Sequence, residues 1–354
     1  MSRFFSEKYS TLVPYVPGEQ PKDVQYIKLN TNESPFPPAP RAIELASAAA
    51  ANVNLYSDPE CRELVKRFSA LFDVAPDEVL FTNGSDEILN FAFMAFCDKD
   101  HPAAFPNISY GFYPVFAEIN NIPYEEIPLK ADFTIDVNDY IGIHKNIFIA
   151  NPNAPTGIAL TVAEIEEILK ANPDHVVVID EAYVDFGTES CVPLIRKYDN
   201  LLVTQTFSKS RSMAGARLGF GVGCKALIQD LNTVKYSTNP YNINRMTMAA
   251  GLGVMEDEAY TKANCSAIID NREYTKKALA ELGFTMTDSQ ANFVFAIHPK
   301  IDGAKLYQAL KKKGILVRHF DKSRLTQYNR ITVGSKAEME ALLTAIEAIL
   351  EEQV

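Results

Sequence analysis

Short β-rich runs alternate with helical patterns through most of this chain. Val79–Thr82, Ile147–Ala150, Val176–Ile179, Leu201–Thr204 and Gly219–Val222 are the apolar runs, with helix-like spacing between them. That alternation predicts an α/β fold: a mostly parallel, doubly wound sheet with helices on both faces. Ligands of such sheets sit beyond the carboxyl ends of the strands. A long helical pattern then covers 242–283 and stops at Gly283. Beyond it, Asn292–Ile297, Ile315–Val317 and Arg330–Val333 predict strands, separated by helices near 302–313 and 336–351, which makes a small α+β domain. The first 40 residues carry Pro14, Pro17, Pro21, Pro35, Pro37, Pro38 and Pro40, too many for a helix, with too few apolar residues for a strand. The expected organisation is an extended arm over 1–40, a large domain over 41–248 and a small domain over 249–354.

Composition narrows the partners. The chain has 354 residues, 47% of them hydrophobic, enough for a substantial core and about two domains. Its net charge of −11 argues against a nucleic-acid or anionic-membrane surface, because phosphate groups repel such a field. The N-terminal residues lack an apolar signal core and no stretch is apolar enough to span a membrane, so a cytosolic location is expected. Cys61, Cys97, Cys191, Cys224 and Cys265 are odd in number and far apart, as suits reduced thiols. None lies at metal-ligand spacing from a histidine, so no metal is expected. Small molecules remain as partners.

Four polar segments follow the apolar runs. Thr206-Phe-Ser-Lys209 places one amine beside two hydroxyls, with Arg217 eight residues on. That set suits an aldehyde cofactor that carries a phosphate: the amine for the aldehyde, the hydroxyls and guanidinium for the phosphate. Asp180-Glu-Ala-Tyr183 ends another run. A strand-end aspartate serves as a cap or turn residue, or as the anionic partner of a protonated ring nitrogen. Tyr183 can then reach a ring hydroxyl, and Ala182 is small enough for a ring to lie flat. Asn83-Gly-Ser-Asp-Glu87 falls between a strand and a helix, so Ser85 and Asp86 either cap that helix or present free amides to an anion. Tyr110 can stack on an aromatic ring or pack in the core.

Together with Asn151-Pro-Asn-Ala-Pro-Thr-Gly157, these segments resemble the fold-type I, pyridoxal-phosphate-dependent aminotransferases of class II. Leu12-Val-Pro-Tyr-Val-Pro-Gly18, Leu29-Asn-Thr-Asn-Glu33, Tyr56, Gly314-Ile-Leu-Val-Arg318 and Arg330-Ile-Thr-Val-Gly334 resemble the histidinol-phosphate aminotransferase branch in order and spacing. The likeness runs from about residue 12 to 335. It implies pyridoxal 5'-phosphate as cofactor, a Schiff base on Lys209, Asp180 at the pyridine nitrogen, Tyr183 at the ring hydroxyl and Tyr110 stacked on the ring. It also implies a phosphate held by the Ser85 and Asp86 amides, Thr206, Ser208 and Arg217, with Tyr56 reaching across from the second subunit of a homodimer. On the substrate side it implies Arg330 for the carboxylate of the amino-acid partner, Arg318 with Tyr15 for the phosphate of histidinol phosphate, and Asn32 from the arm motif.

One position departs from the family. An asparagine usually precedes Pro-Thr-Gly and supports the cofactor hydroxyl, whereas this chain has Ala154. Asn153, one position earlier, is the expected replacement, with Tyr183 acting alone as the alternative. The implied reaction moves an amino group from L-histidinol phosphate to 2-oxoglutarate by alternating half-reactions, as in histidine biosynthesis. An aromatic amino-acid aminotransferase and a threonine-phosphate decarboxylase share the machinery. A non-catalytic, cofactor-sensing regulator would need a basic helix-turn-helix extension, which the proline-rich arm lacks.

Overall fold

The structure is a computed structural model and describes residues 2–21 and 25–352. In chain order it contains β1 (Ile27–Lys28), α1 (Pro40–Ala49), α2 (Arg62–Phe72), β2 (Val79–Thr82), α3 (Ser85–Phe96), β3 (Ala103–Pro106), α4 (Phe112–Ile119), β4 (Tyr124–Ile127), β5 (Asn146–Ala150), α5 (Val162–Ala171), β6 (Val177–Asp180), β7 (Leu201–Thr206) and β8 (Gly219–Gly223). These are followed by α6 (Lys225–Thr238), α7 (Arg245–Glu256), α8 (Glu258–Glu281), β9 (Thr285–Met286), β10 (Phe293–Ile297), α9 (Gly303–Lys312), β11 (Ile315–Leu316), β12 (Arg318–His319), β13 (Asn329–Thr332) and α10 (Lys336–Glu351).

Seven strands form the large sheet in the order β2-β8-β7-β6-β5-β3-β4. The run from β7 to β4 is parallel, and β8 lies antiparallel to both its neighbours. The five expected runs all become strands of this sheet, and they are apolar throughout because both faces are covered. Ile147, Ile149, Val177, Ile179, Leu201 and Val203 enter one core with α2, α5 and α7; Phe148, Val178 and Leu202 enter the other with α3, α4 and α6. Two strands of this sheet were not anticipated. Ala103–Pro106 is short and ends in proline, and Tyr124–Ile127 is an edge strand whose Tyr124, Glu125 and Glu126 face solvent.

Three expectations need correction. The helical pattern over 242–283 is two helices, because Asp257 ends α7 and its carboxylate accepts the Tyr260 N–H to cap α8. The arm is not wholly without strand: Ile27–Lys28 pairs in parallel with Ile315–Leu316. The expected strand Ile315–Val317 consequently shortens to β11, which goes to the arm, and β12, just beyond its expected end, joins the four-stranded antiparallel sheet β12-β13-β10-β9. A division of the chain at 248/249 would also cut α7, whose Ala250, Val254 and Met255 belong to the core of the large sheet. The chain passes to the second core, around β10 and β13, with Cys265 and Ile268 of α8.

Candidate active site

The polar segments converge at the carboxyl ends of β5, β6 and β7. A cavity of about 270 Å³ there is lined by Ser85, Asp86, Tyr110, Ala154, Asp180, Ala182, Tyr183, Thr206, Ser208, Lys209 and Arg217, with Thr31 and Glu33 closing it from the arm. Asp180 is the last residue of β6, one register beyond the expected end of that run. Its carboxylate accepts hydrogen bonds from Tyr113 Oη at 3.1 Å and Thr204 Oγ1 at 3.4 Å. Burial pushes this carboxyl up to about 6, against the hydrogen bond from Tyr113. No lysine or arginine pairs with it among the described residues. A buried carboxylate without a cation is costly, so the site is built to receive a positively charged group.

Lys209 lies in the turn after β7, where its Nζ donates to the Thr31 carbonyl at 3.2 Å and sits 5.8 Å from the centre of the Tyr183 ring. Thr206 Oγ1 donates to Ser208 Oγ at 3.0 Å, and Arg217 reaches the same hydroxyl at 3.4 Å. Arg217 also pairs with Asp86 Oδ2 at 2.8 Å, while Tyr110 Oη donates to Asp86 Oδ1 at 2.5 Å. Ser85 and Asp86 open α3 behind Gly84, which makes no side-chain cap, so the helix's positive end faces the cavity with unspent amides. Gly84 is held at φ 74°, and a Cβ there would lie 2.4 Å from the Arg217 guanidinium. Only glycine lets that guanidinium approach the turn so closely.

A second cavity of about 510 Å³ continues from the first and shares Tyr110, Ala154, Tyr183 and Lys209 with it. The arm covers it through Val13–Gly18, and Arg318, Phe320 and Arg330 form its far side. Arg330 lies between the rings of Phe293 and Phe320, at 5.3 and 5.8 Å, and donates to the Asn30 carbonyl at 3.1 Å. Its Nε is buried without a partner, no carboxylate pairs with it among the described residues, and burial lowers its affinity for its proton. Arg318 is held by the arm, donating to the carbonyls of Pro17 at 3.3 Å and Val16 at 3.2 Å. Tyr15 stacks on Phe112 at 4.3 Å beside Tyr110.

Two expected site residues lie elsewhere. Asn153 does not reach the wall of the first cavity. Its amide donates to the Ile108 carbonyl at 3.0 Å and Thr156 Oγ1 at 3.2 Å, and its Oδ1 accepts from Ser109 at 2.8 Å, so its polar atoms tie its own loop to the one after β3. Tyr56 lines neither cavity of its own chain; it is 80% exposed and stacks on Tyr241 at 4.5 Å. Asn32 does reach the site, as a donor to Tyr183 Oη at 2.9 Å. Sequence reasoning missed Tyr113, Thr204 and the Thr31 carbonyl. Tyr113 stands in the first turn of α4, three residues after Tyr110 in the loop before it, and that closeness in sequence was a usable signal. A backbone carbonyl leaves none.

This layered sheet with a lysine at a strand end and a hydroxyl–guanidinium cradle is the architecture of the class I and II aminotransferases, and the chain belongs to that family, whose model matches residues 24–346. Its relatives place it among the histidinol-phosphate aminotransferases. The histidinol-phosphate aminotransferase of Brachyspira hyodysenteriae is 48% identical over 99% of this chain and 100% of its own length. Histidinol-phosphate aminotransferase 1 of Bordetella parapertussis is 49% identical, over 99% of both. In fold, the chain superposes on the Sinorhizobium meliloti histidinol-phosphate aminotransferase solved with pyridoxal-5'-phosphate, with a TM-score of 0.90 at 22% identity, over 100% of this chain and 99% of that one. Among the described residues no helix is long and apolar enough to cross a membrane, and no cluster of three metal-ligating side chains occurs.

Proposed function

We propose that the chain transfers an amino group from L-histidinol phosphate to 2-oxoglutarate, using pyridoxal 5'-phosphate held in the first cavity. The observation that carries this reading is the joint presence of an amine, an unpaired buried carboxylate and a hydroxyl–arginine cradle around one cavity, with a half-buried arginine in the adjoining one that no carboxylate pairs among the described residues. The donor set fits the cofactor: the Ser85 and Asp86 amides, Thr206, Ser208 and Arg217 would hold its phosphate, Asp180 its ring nitrogen and Tyr183 its ring hydroxyl, with Tyr110 against the ring. When bound, the cofactor supplies an aldehyde that exchanges amino groups and a ring that accepts the electrons of a carbanion.

The protein's share is proton handling and orientation. Lys209 Nζ would bind the cofactor's aldehyde and, when free, is the base that would move the proton at the substrate carbon. Asp180 would hold the ring nitrogen, whose positive charge would keep the carboxylate ionised against the burial that otherwise favours its neutral form. Arg330 grips the carboxylate of 2-oxoglutarate, and Arg318 with Tyr15 takes the phosphate of histidinol phosphate once the arm releases it. The two substrates take turns in one pocket, so kinetics are ping-pong.

Two copies form a homodimer in this reading, each lending Tyr56 to the other's phosphate cradle. The exposed apolar side chains Val53, Leu55 and Tyr241 around Tyr56 support a covered face there. All five cysteines are free, four of them buried, which accords with a reducing compartment such as the cytosol. Adding L-histidinol phosphate without keto acid to the cofactor-loaded protein tests the function. Bleaching of the visible band is the expected result. A band left intact by histidinol phosphate but bleached by phenylalanine would move the assignment to an aromatic substrate, and no band after loading would overturn it.

A further inference from the structure

The arm motif that carries Asn32 does more than border the substrate cavity. Asn32 has a left-handed backbone, φ 55°, a conformation asparagine adopts more readily than most residues. The turn aims two groups of adjacent residues into the site: the Thr31 carbonyl toward Lys209 Nζ and the Asn32 amide toward Tyr183 Oη. Thr332 fixes which end of that amide faces the tyrosine. Its Oγ1 accepts the Asn32 N–H at 2.9 Å, so its single proton is free for Asn32 Oδ1 at 3.0 Å. With Oδ1 so engaged, Nδ2 is the donor to Tyr183, and the tyrosine's own proton must point away from Asn32. Asn292 completes the fixing by donating to the Asn32 carbonyl at 3.0 Å. Asn32, Asn292 and Thr332 are all buried.

Ala154 stands where the family pattern has an asparagine beside the cofactor hydroxyl, and the Asn153 side chain is engaged by Thr156 and by Ile108 and Ser109 of the loop after β3. We propose that Asn32 is the positioning residue that offsets this loss, holding the Tyr183 hydroxyl so that its proton is presented to the ring oxygen of the cofactor. The inference rests on the aminotransferase reading above. It makes the direction of one catalytic proton depend on β13 and the residue preceding β10, outside the large sheet that carries Lys209 and Asp180.

The test follows from charge. A donor on the ring oxygen draws off negative charge that would otherwise hold the proton on the nitrogen joining Lys209 to the cofactor. Losing the donor makes that proton harder to remove. Asn32→Gly deletes the amide while keeping the left-handed backbone free of strain. Asn32→Asp keeps the shape but reverses the hydrogen bond, since a carboxylate only accepts and would take the tyrosine proton for itself. In the loaded enzyme without substrate, the pH midpoint of the visible band should rise by about one pH unit in both variants, a tenfold tighter hold on the proton. Adding Ala154→Asn to Asn32→Gly should bring the midpoint back down. kcat should fall with KM for histidinol phosphate little changed.

Midpoints equal to the parent's in both variants, with a raised KM, would overturn the proposal and assign Asn32 to substrate contact instead. If Asn32→Gly fails to fold, the isosteric Asn32→Asp decides the matter alone. A parent protein that shows no visible band at all defeats the aminotransferase reading itself. That outcome is distinct from a coloured parent whose variants titrate as it does.

Discussion

A guanidinium sandwiched between two rings with no carboxylate beside it raises the free energy of the empty protein until an anion arrives. Arg330 is such a group, and its planar fork suits a two-pronged carboxylate contact that an ammonium cannot reproduce. Arg330→Lys should therefore cut kcat/KM for 2-oxoglutarate by roughly 10- to 100-fold, mainly through KM, in steady-state assays. Lys209→Ala should abolish turnover, and borohydride treatment of the loaded variant should attach no cofactor to the chain. Behind Asp180 lies Glu181, which accepts from Ser190 at 2.6 Å, the Cys191 N–H at 2.6 Å and Gln205 at 2.8 Å, yet burial pushes it up to about 7. Its folded-state value exceeds the ordinary 4.5, so the folded chain keeps a proton that the unfolded chain has lost across that window. Stability from this group thus falls as pH rises from about 4.5 to 7. Thermal melts should find a flatter pH dependence over that range in Glu181→Gln than in the parent. Candidates such as Asp180 and Lys209 were legible because each is a polar group soon after an apolar run, and Arg217 through its spacing from Lys209. Asn292 and Thr332 were not, since nothing local to them signals a partner at position 32.

Elements were legible where burial enforces a uniform pattern. The central strands β5, β6 and β7 are covered on both sides and read as unbroken apolar runs; the edge strand β4 shows three residues to water and reads as loop. The break between α7 and α8 is a single aspartate in otherwise helical spacing, and its capping role depends on a bend that periodicity does not record. Capping is clearer at α10, where Ser335 and Glu338 bond reciprocally across the first turn. Ser335→Ala should lower unfolding free energy by about 1 kcal/mol, measured by denaturant titration, with turnover unaffected. Closer packing governs α1 against α7. A Cβ on Gly253 would lie 2.6 Å from backbone atoms of Ala42, which cannot swing aside as a side chain could. Gly253→Ala should push the helices apart and destabilise the chain by roughly 1 to 3 kcal/mol in the same titration.

At the scale of the whole molecule, the exposed side chains around Tyr56 are the surface that a second copy would cover. Sedimentation should give twice the 39.3 kDa chain mass, and Tyr56→Ala should weaken cofactor binding by about tenfold in equilibrium dialysis while leaving the fold intact. Neither outcome was legible beyond the family resemblance, because a lone exposed tyrosine has no sequence signature. The pairing of arm with C-terminal region has a bearing on how the protein is made. Asn32 meets Thr332 across 300 positions, and β1 has no partner until β11 exists. At about 5–20 residues per second, the ribosome delivers the second half of that contact roughly 15 to 60 seconds after the first. Through that interval the arm can meet Lys209 and Tyr183 through Thr31 and Asn32, yet it lacks the β11 pairing and the Thr332 hydroxyl that hold it from the C-terminal side. Cofactor captured early would meet a half-walled pocket, and a message cut short before β13 would yield a chain that carries the lysine but lacks the hydroxyl that orients the Asn32 amide toward the tyrosine.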